Sequence, residues 1–367
     1  MKNELGFFPT PYEDEDFRSL TYRYHIRSGN LNITKTIEEL FNIKTHRLAH
    51  FPRNLDYLAE RLPEKLFLTT DYFIANHTLL ALFLPFLSLD EREKILVEFR
   101  CASDRSEIGT RLLSPIVSTL VRYCPTCLIE DFERFRECYI HRVHQYNFVT
   151  VCPVHRFNLV THCPKCGAPL SDSFGRFILM EPTCSCGHYL GDGRRVEVES
   201  PTQIQLFNEQ LARDVKFVID NVDKLNVEIF KEKMLRLYSH KGYLASQGMF
   251  INTKFSKGFL GLFSEEMLQT VGLDSIYLSN RTALKVLNFN GRPKNQLLHI
   301  LGMEYLSQSV KGFISSEFTT SPFGAGPWSC KNTYCPDYNR FVIQGIKVVL
   351  TKKLNIFLES LLVLAVA

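Results

Sequence analysis

The pattern of apolar positions changes twice along the chain. From Phe17 to Ile26, apolar residues recur at helical spacing behind the acidic stretch Glu13-Asp14-Glu15-Asp16. Acidic residues in a first turn complement the positive end of the helix dipole. The spacing therefore predicts a helix that starts on those carboxylates and stops at Gly29-Asn30. Ile37, Leu40 and Phe41 predict a second helix starting near Thr34. Leu55, Leu58 and Leu62 predict a third, ended by Pro63, and residues 90–99 another. Residues 77–88 are nearly all apolar and are predicted to be buried. Several short helices at this spacing are compatible with a helix-turn-helix module and equally with any small bundle.

Between residues 120 and 190 the helical period gives way to short apolar runs, Cys-Pro pairs and Gly turns. Runs such as 148–151 and 157–160 predict short strands beside metal knuckles. From about Ser200 helices resume, with 203–223, 225–241, 264–271 and 295–309 the best candidates. Gly291-Arg292-Pro293 breaks the chain before the last of these, and residues 319–335 are rich in Gly and Pro loops. No internal repeat or low-complexity tract stands out. The expected architecture is mainly α with small β zinc ribbons. It comprises an N-terminal helix-turn-helix-like region over 1–118, a paired zinc-ribbon module over 119–198, a helical module suited to DNA binding over 199–318, and an incomplete Cys knuckle with an irregular tail over 319–367.

Composition narrows the function classes. The 367 residues are 45% hydrophobic and 22% charged, ordinary for a globular protein of two or three domains. No run of eighteen or more apolar residues exists, which argues against a transmembrane helix and a membrane partner. Met1-Lys2-Asn3-Glu4 opens no signal-peptide core, so the expected compartment is the cytoplasm, where disulfides are rare. The formal charge is +4, split as −2 over 1–119, zero over 120–200 and +6 over 201–367. That balance does not declare a nucleic-acid binder; the C-terminal part permits one.

Eight of the 11 cysteines lie between positions 124 and 186. Cys124-Pro-Thr-Cys127 and Cys152-Pro-Val-His155 each present two donors across a two-residue spacer, as a tetrahedral zinc site with three thiolates and one imidazole requires. Cys163-Pro-Lys-Cys166 and Cys184-Ser-Cys186 supply a second set of four thiolates, with His188 as an alternative to Cys184 or Cys186. Gly167 and Gly187 follow their knuckles and suit the tight turn around a metal. Four protein ligands per ion leave no open position, so two structural zinc ions are expected, not catalytic ones. Cys101 and Cys138 read as small buried hydrophobes. His141 and His144 are spare ligands or, preferably, outer-sphere hydrogen-bond partners that order the zinc module. Cys330 and Cys335 form half of a possible metal site with no second pair after them. The uncapped apolar end, Leu361 to Ala367, suggests truncation or a frameshift of a longer chain.

No nucleophile elbow, Walker loop or His-Glu-x-x-His motif is present, and Phe323-Gly324-Ala325-Gly326 lacks the Lys-Ser/Thr pair of a phosphate loop. An enzyme is not expected. Asp14, Glu15 and Asp16 read as a helix N-terminal charge run in preference to a metal-binding acidic cluster.

In order along the chain, several stretches resemble the TniQ family, which includes the TnsD-type target selectors of bacterial transposons. They are Phe8-Pro9-Thr10-Pro11-Tyr12-Glu13-Asp14-Glu15, Tyr24-His25-Ile26-Arg27-Ser28-Gly29-Asn30, Phe51-Pro52-Arg53-Asn54-Leu55-Asp56 and His77-Thr78-Leu79-Leu80. The most specific stretch is Arg122-Tyr123-Cys124-Pro125-Thr126-Cys127, Glu137, His141-Arg142, His144-Gln145 and Val151-Cys152-Pro153-Val154-His155, followed by the second Cys set. Farther on, Arg292-Pro293-Lys294, Leu297-Leu298-His299 and Phe323 to Trp328 resemble longer TnsD-like members. Ile140 departs from the pattern, where an aromatic is expected, and so does the interrupted C-terminal end. The resemblance implies a bacterial, non-catalytic protein that binds double-stranded DNA at an attachment site and recruits an AAA+ transposition regulator, and through it the transposase. The alternative is an adaptor joining an RNA-guided effector complex to that ATPase. The near-neutral charge of residues 1–200 suits the adaptor, and the C-terminal region suits direct binding. Candidate DNA contacts are Arg23, Arg27, Arg292 and Lys294, with 284–300 as a basic arm opening a helix.

Overall fold

The computed structural model describes residues 4–46, 48, 51–101, 117–118, 120–172, 177–192, 201–244, 250–273, 295–316 and 327–343, and the backbone of 347–350 and 357–360. Helix α1 (Phe17–Ser28) begins where the Asp16 carboxylate accepts the Arg18 amide, and it ends on Gly29 at φ 74°. Only glycine takes that left-handed conformation without steric cost. Of the acidic stretch only Asp16, the N-cap, meets the helix start as expected; Glu13, Asp14 and Glu15 precede it. Asp14, Glu15 and Asp16 turn inward and pair with arginines, as described below. Helix α2 (Ile33–Phe41) follows after the four-residue turn 29–32 and is capped by Asn32. Short helices α3 (Leu55–Ala59) and α4 (Thr70–His77) lead into two 3-10 turns, Leu79–Leu82 and Leu84–Phe86. Pro85 removes an amide donor there, which keeps this apolar run from forming one longer helix. Helix α5 (Leu89–Arg100) opens with a Ser88/Glu91 capping box.

The central part holds helix α6 (Pro125–Phe135) and a 3-10 turn, Arg142–Gln145. The expected ribbon strands reduce, among the described residues, to single antiparallel bridges: Tyr123 with Val160, Val151 with Asn158, His162 with Pro169 and Thr183 with Tyr189. Pro153, Pro164 and Pro169 remove amide donors inside or beside these loops, so a regular ladder cannot extend. The first Cys pair lies at a helix start, not on a strand.

Helices α7 (Gln203–Asp220) and α8 (Val227–His240) match the helical spacing read from sequence. Helix α9 (Asn252–Leu262) was not anticipated. Gly258 and Gly261 lower its intrinsic propensity by about 1 kcal/mol each relative to Ala. Packing overrides that deficit: Phe255 and Phe259 are fully buried, and a Cβ on Gly258 would collide with the Tyr305 hydroxyl. Helices α10 (Glu265–Thr270), α11 (Gln296–Ser307) and α12 (Val310–Ser315) follow, capped by Ser264, Asn295 and Ser309. Two antiparallel pairs close the described chain: β1 (Trp328–Ser329) with β2 (Phe341–Ile343), and β3 (Lys347–Leu350) with β4 (Phe357–Ser360).

One apolar core runs from Leu5 to Phe313. The stretch 79–87 sits at its centre. Helix α7 packs against the first of its two turns and α8 against the second. The Phe86 ring lies 4.9 Å from Phe230 on α8 and 5.4 Å from the His299 ring on α11. Each such buried side chain contributes about 1.5–3 kcal/mol, so this segment ties the N-terminal helices to the C-terminal ones. Among the described residues no single helix is long and apolar enough to cross a membrane. Residues 64–86 reach that length only as a pair bent by 59°.

Candidate metal centres

Helix α6 begins at Cys124 as its N-cap, with Pro125 at N1 and Cys127 in the first turn. The positive end of the helix dipole favours thiolates there. Across from them, the loop 152–156 turns back on itself: the Arg156 amide donates to the Cys152 carbonyl at 2.9 Å, and the His155 amide to the Cys152 sulfur at 3.4 Å. This brings Cys124, Cys127, Cys152 and His155 together, with all four donor atoms within 4.8 Å of one another. The His155 Nδ1 lies 3.6, 3.3 and 3.6 Å from the sulfurs of Cys124, Cys127 and Cys152, and the Cys127 and Cys152 sulfurs are 3.8 Å apart. With bonds of about 2.3 Å to sulfur and 2.0–2.1 Å to nitrogen, a tetrahedron has edges of about 3.8 Å for S···S and about 3.5 Å for S···N. The set therefore fits a tetrahedral metal ion.

The second set repeats the turn. The Gly167 amide donates to the Cys163 carbonyl at 2.9 Å and the Gly187 amide to the Cys184 carbonyl at 2.8 Å, with both glycines at positive φ. Arg156 occupies the corresponding left-handed position of the first set, at φ 59°. Cys163 to Cys186 is 3.8 Å and Cys166 to Cys184 is 3.7 Å, again tetrahedral edges. His188 is not among the four; its carbonyl accepts the Cys184 amide. The two sets differ in exposure: Cys124, Cys127 and Cys152 are buried, whereas Cys166 and Cys186 face solvent.

Hydrogen bonds orient the first set. His155 Nε2 meets the Glu130 carboxylate at 3.0 Å, which fixes the imidazole with Nδ1 toward the sulfurs. Glu130 lies one helical turn beyond Cys127 and was not singled out from sequence, since a solvent-facing glutamate on a helix carries no signal of its own. The His144 ring is hydrogen-bonded to the Cys152 sulfur, the ordering role expected of one of the two histidines. His141 instead binds Asp131 at 2.9 Å.

Cys138 is buried, with its thiol on the Leu128 carbonyl at 3.2 Å. Cys101 is exposed, contrary to expectation: it is the C-cap of α5, beyond the buried stripe of Ile95 and Phe99. Cys330 is buried in the turn beneath β1 and β2, and Cys335 half-buried, but among the described residues no third donor joins them. The tail Leu361 to Ala367 lies outside the described residues.

The expected DNA contacts fare unequally. Arg23 is a correction: its side chain is only 4% exposed, and its guanidinium is spent inside the protein. It donates to Glu15 at 2.7 Å, to Glu137 at 2.8–2.9 Å and to the Thr10 carbonyl at 3.1 Å, and it stacks on Tyr12 at 3.8 Å. Arg27 is half-exposed and paired with Glu137. Arg292 and Lys294 lie outside the described residues, as does most of the arm 284–300. The same inward logic places Asp14 on Arg142 at 3.1 Å and Asp16 on Arg18 at 2.8 Å, both buried. Burial pushes the Glu15 carboxyl up to about 7 while Arg23 pulls it down. Burial also raises Glu137, but bonds from Tyr12, Arg27 and Arg23 outweigh it and hold that carboxyl below its usual range. The network joins residues 12–27 to residues 137–142, stitching α1 to the first metal set.

This is a mainly helical protein with two tetrahedral donor sets, one of three cysteines and a histidine and one of four cysteines, and the sequence comparisons place it. A family model described as TniQ matches residues 6–159, and one described as Tn7-like transposition protein D, TnsD, matches residues 211–357. The chain belongs to the TniQ/TnsD family. It is similar to the Transposon Tn7 transposition protein TnsD of Escherichia coli, with 24% identity over 153 residues. That stretch covers 40% of this chain and 30% of the relative. The first metal set lies inside the TniQ match, and the second falls between the two matches.

Proposed function

We propose that this chain is a non-catalytic selector of transposition target sites. It binds double-stranded DNA at an attachment site and recruits an AAA+ regulator, which brings in the transposase. The observation that carries this reading is the tandem of a TniQ match and a TnsD match on one chain with a continuous core. In this reading each Cys/His set holds one structural zinc, since four donors fill the tetrahedron and leave no position for water or substrate. The zinc contributes folding energy and holds the loops of residues 120–190 in place. The turn between α1 and α2 has the length of a helix-turn-helix connection, which supports the module expected from sequence.

The burial of Arg23 and the near-neutral balance of residues 1–200 favour protein contacts for the N-terminal half. A second reading follows, in which the chain is an adaptor between an RNA-guided effector complex and the ATPase. Binding of the full chain to labelled host attachment-site and unrelated duplexes, titrated across salt, tests the first reading. A preference for the attachment site is expected, and equal affinity for every sequence sinks site selection. Pull-down of the ATPase with and without DNA separates the two: the selector needs its DNA site, and the adaptor does not.

A further inference from the structure

Residues 233–264 carry five Lys and Arg and no Asp or Glu. The stretch spans the end of α8, the turn at Gly242 and the whole of α9. Elsewhere on the surface, basic residues alternate with acidic ones. On α5, Lys94 pairs with Asp90, and on α7, Lys216 with Asp220. Earlier on α8, Lys231 pairs with Glu228 and Arg236 with Glu232. Past Arg236, among the described residues, Lys241, Lys254 and Lys257 have no acidic partner.

The fold gathers the remaining cations at one place. The Ile251 amide donates to the Tyr243 carbonyl at 2.8 Å, which folds the start of α9 back onto the end of α8. Lys254 then reaches the Gly242 carbonyl at 2.8 Å, beside exposed Lys241. Lys257 stands one turn farther along the exposed side of α9, opposite buried Phe255 and Phe259. Gly261 continues that side, and a Cβ there would meet nothing within 4 Å. Packing thus explains Gly258, which Tyr305 crowds, but gives no internal reason for Gly261.

We propose that this ridge, Lys241, Lys254 and Lys257 on the α8–α9 corner, seats the phosphate backbone of duplex DNA. The proposal rests on the DNA-binding reading above and assigns it a surface that the sequence-based choice of Arg23, Arg27, Arg292 and Lys294 missed. Charge complementarity selects the occupant: uncompensated, solvated lysines on a rigid helix pair displace the counterions of a polyanion. Lysine, a flexible point charge, positions a backbone without reading bases.

The test uses the full chain and a fluorescently labelled 40-base-pair duplex, of attachment-site and of scrambled sequence, titrated between about 50 and 200 mM salt. The variant K241Q/K257Q removes two lysines that make no ion pair among the described residues, and K35Q/K94Q is the control on the N-terminal helices. K241Q/K257Q is expected to weaken binding to both duplexes alike and to make the salt slope shallower by about two, roughly one per phosphate contact. The control keeps its affinity. Unchanged affinity and slope in K241Q/K257Q, with wild type binding well, overturns the ridge and leaves target selection standing. Unchanged DNA affinity with lost ATPase capture makes the ridge a protein-docking face and also overturns the proposal. No duplex binding by the wild type overturns both the ridge and the DNA-binding reading.

Discussion

Arg23→Met separates a structural arginine from a DNA-contacting one. The wild-type guanidinium makes bonds to Glu15, Glu137 and the Thr10 carbonyl at 2.7–3.1 Å, and the Glu15 side chain is fully buried. Removing one partner of a buried ion pair costs about 3–5 kcal/mol, because the other charge is left without compensation. Glu15 can escape part of that cost by taking a proton. Its carboxyl already sits at about 7, raised by burial against the pull of Arg23, and deleting Arg23 raises it further. A carboxyl raised above its unfolded value of about 4.3 loses stability as pH climbs through the folded value. The deficit of Arg23→Met is therefore smaller near pH 5, where the loss of its bonds to ionised Glu137 remains, and largest at pH 8. Arg27→Met is the comparison: that side chain is 41% exposed, so solvent screens its pair with Glu137 and the cost stays within about 1 kcal/mol. Urea unfolding followed by circular dichroism, at pH 5 and pH 8 with zinc present, measures both. A deficit for Arg23→Met below about 1 kcal/mol at pH 8, with DNA affinity lost, would refute the buried-network account and restore Arg23 as a contact.

Elemental analysis is expected to find two zinc ions per chain, released unequally: a chelator takes first the ion held by exposed Cys166 and Cys186. Monophasic release, or a fast phase that survives Cys166→Ser, contradicts that order. Glu304 on α11 is buried beside Asp214 on α7; burial and that neighbouring carboxylate push its pKa well above the usual value. Arg213 opposes the shift, and the Val310 amide and Gln210 bond to Asp214 at 2.9 and 3.0 Å. Wild-type stability should therefore fall as pH rises above about 4.5, by up to about 1.4 kcal/mol per unit until the folded pKa is passed. Glu304→Gln, neutral throughout, should match the wild type near pH 4 and exceed it at pH 8. Equal unfolding midpoints at pH 8 would show that the carboxyl pair costs nothing.

The metal donors were legible because ligand spacing is a local property: one or two residues separate each pair, and the turn that closes on the ion needs no distant partner. Helices with a clear apolar stripe, such as α2 and α7, were legible for the same reason. Helix α9 was not, because its glycines hide it until Tyr305 from α11 arrives to fill the space. Nor was the role of Asp14, Glu15 and Asp16. A run of carboxylates reads as solvated surface unless its partners are known, and these partners come from α1 itself and from Glu137 to Arg142, more than a hundred residues away. The same blindness made Arg23 look like a phosphate contact.

The two metal sets, one of three thiolates and an imidazole and one of four thiolates, are tied into the fold in different ways. The first sits where three parts of the chain meet. Arg142 ties it to Asp14 and to the Ala75 carbonyl, and the Tyr146 hydroxyl donates to the Leu79 carbonyl at 3.1 Å. On its other side Arg156 reaches Glu209 of α7 at 3.5 Å, held out in a left-handed conformation that glycine would adopt at lower cost. The second set uses glycine at that place, and its loops join the main core through Leu170, Ile178, Leu179 and Leu190, with the Met180 carbonyl accepting the Cys138 amide at 2.8 Å. Metal binding at the first set is therefore coupled to the packing of α1, of the apolar segment 79–87 and of α7. A perturbation there reaches both the N-terminal face and helix α7. Binding at the second set is coupled to the same core through Leu170, Ile178, Leu179 and Leu190.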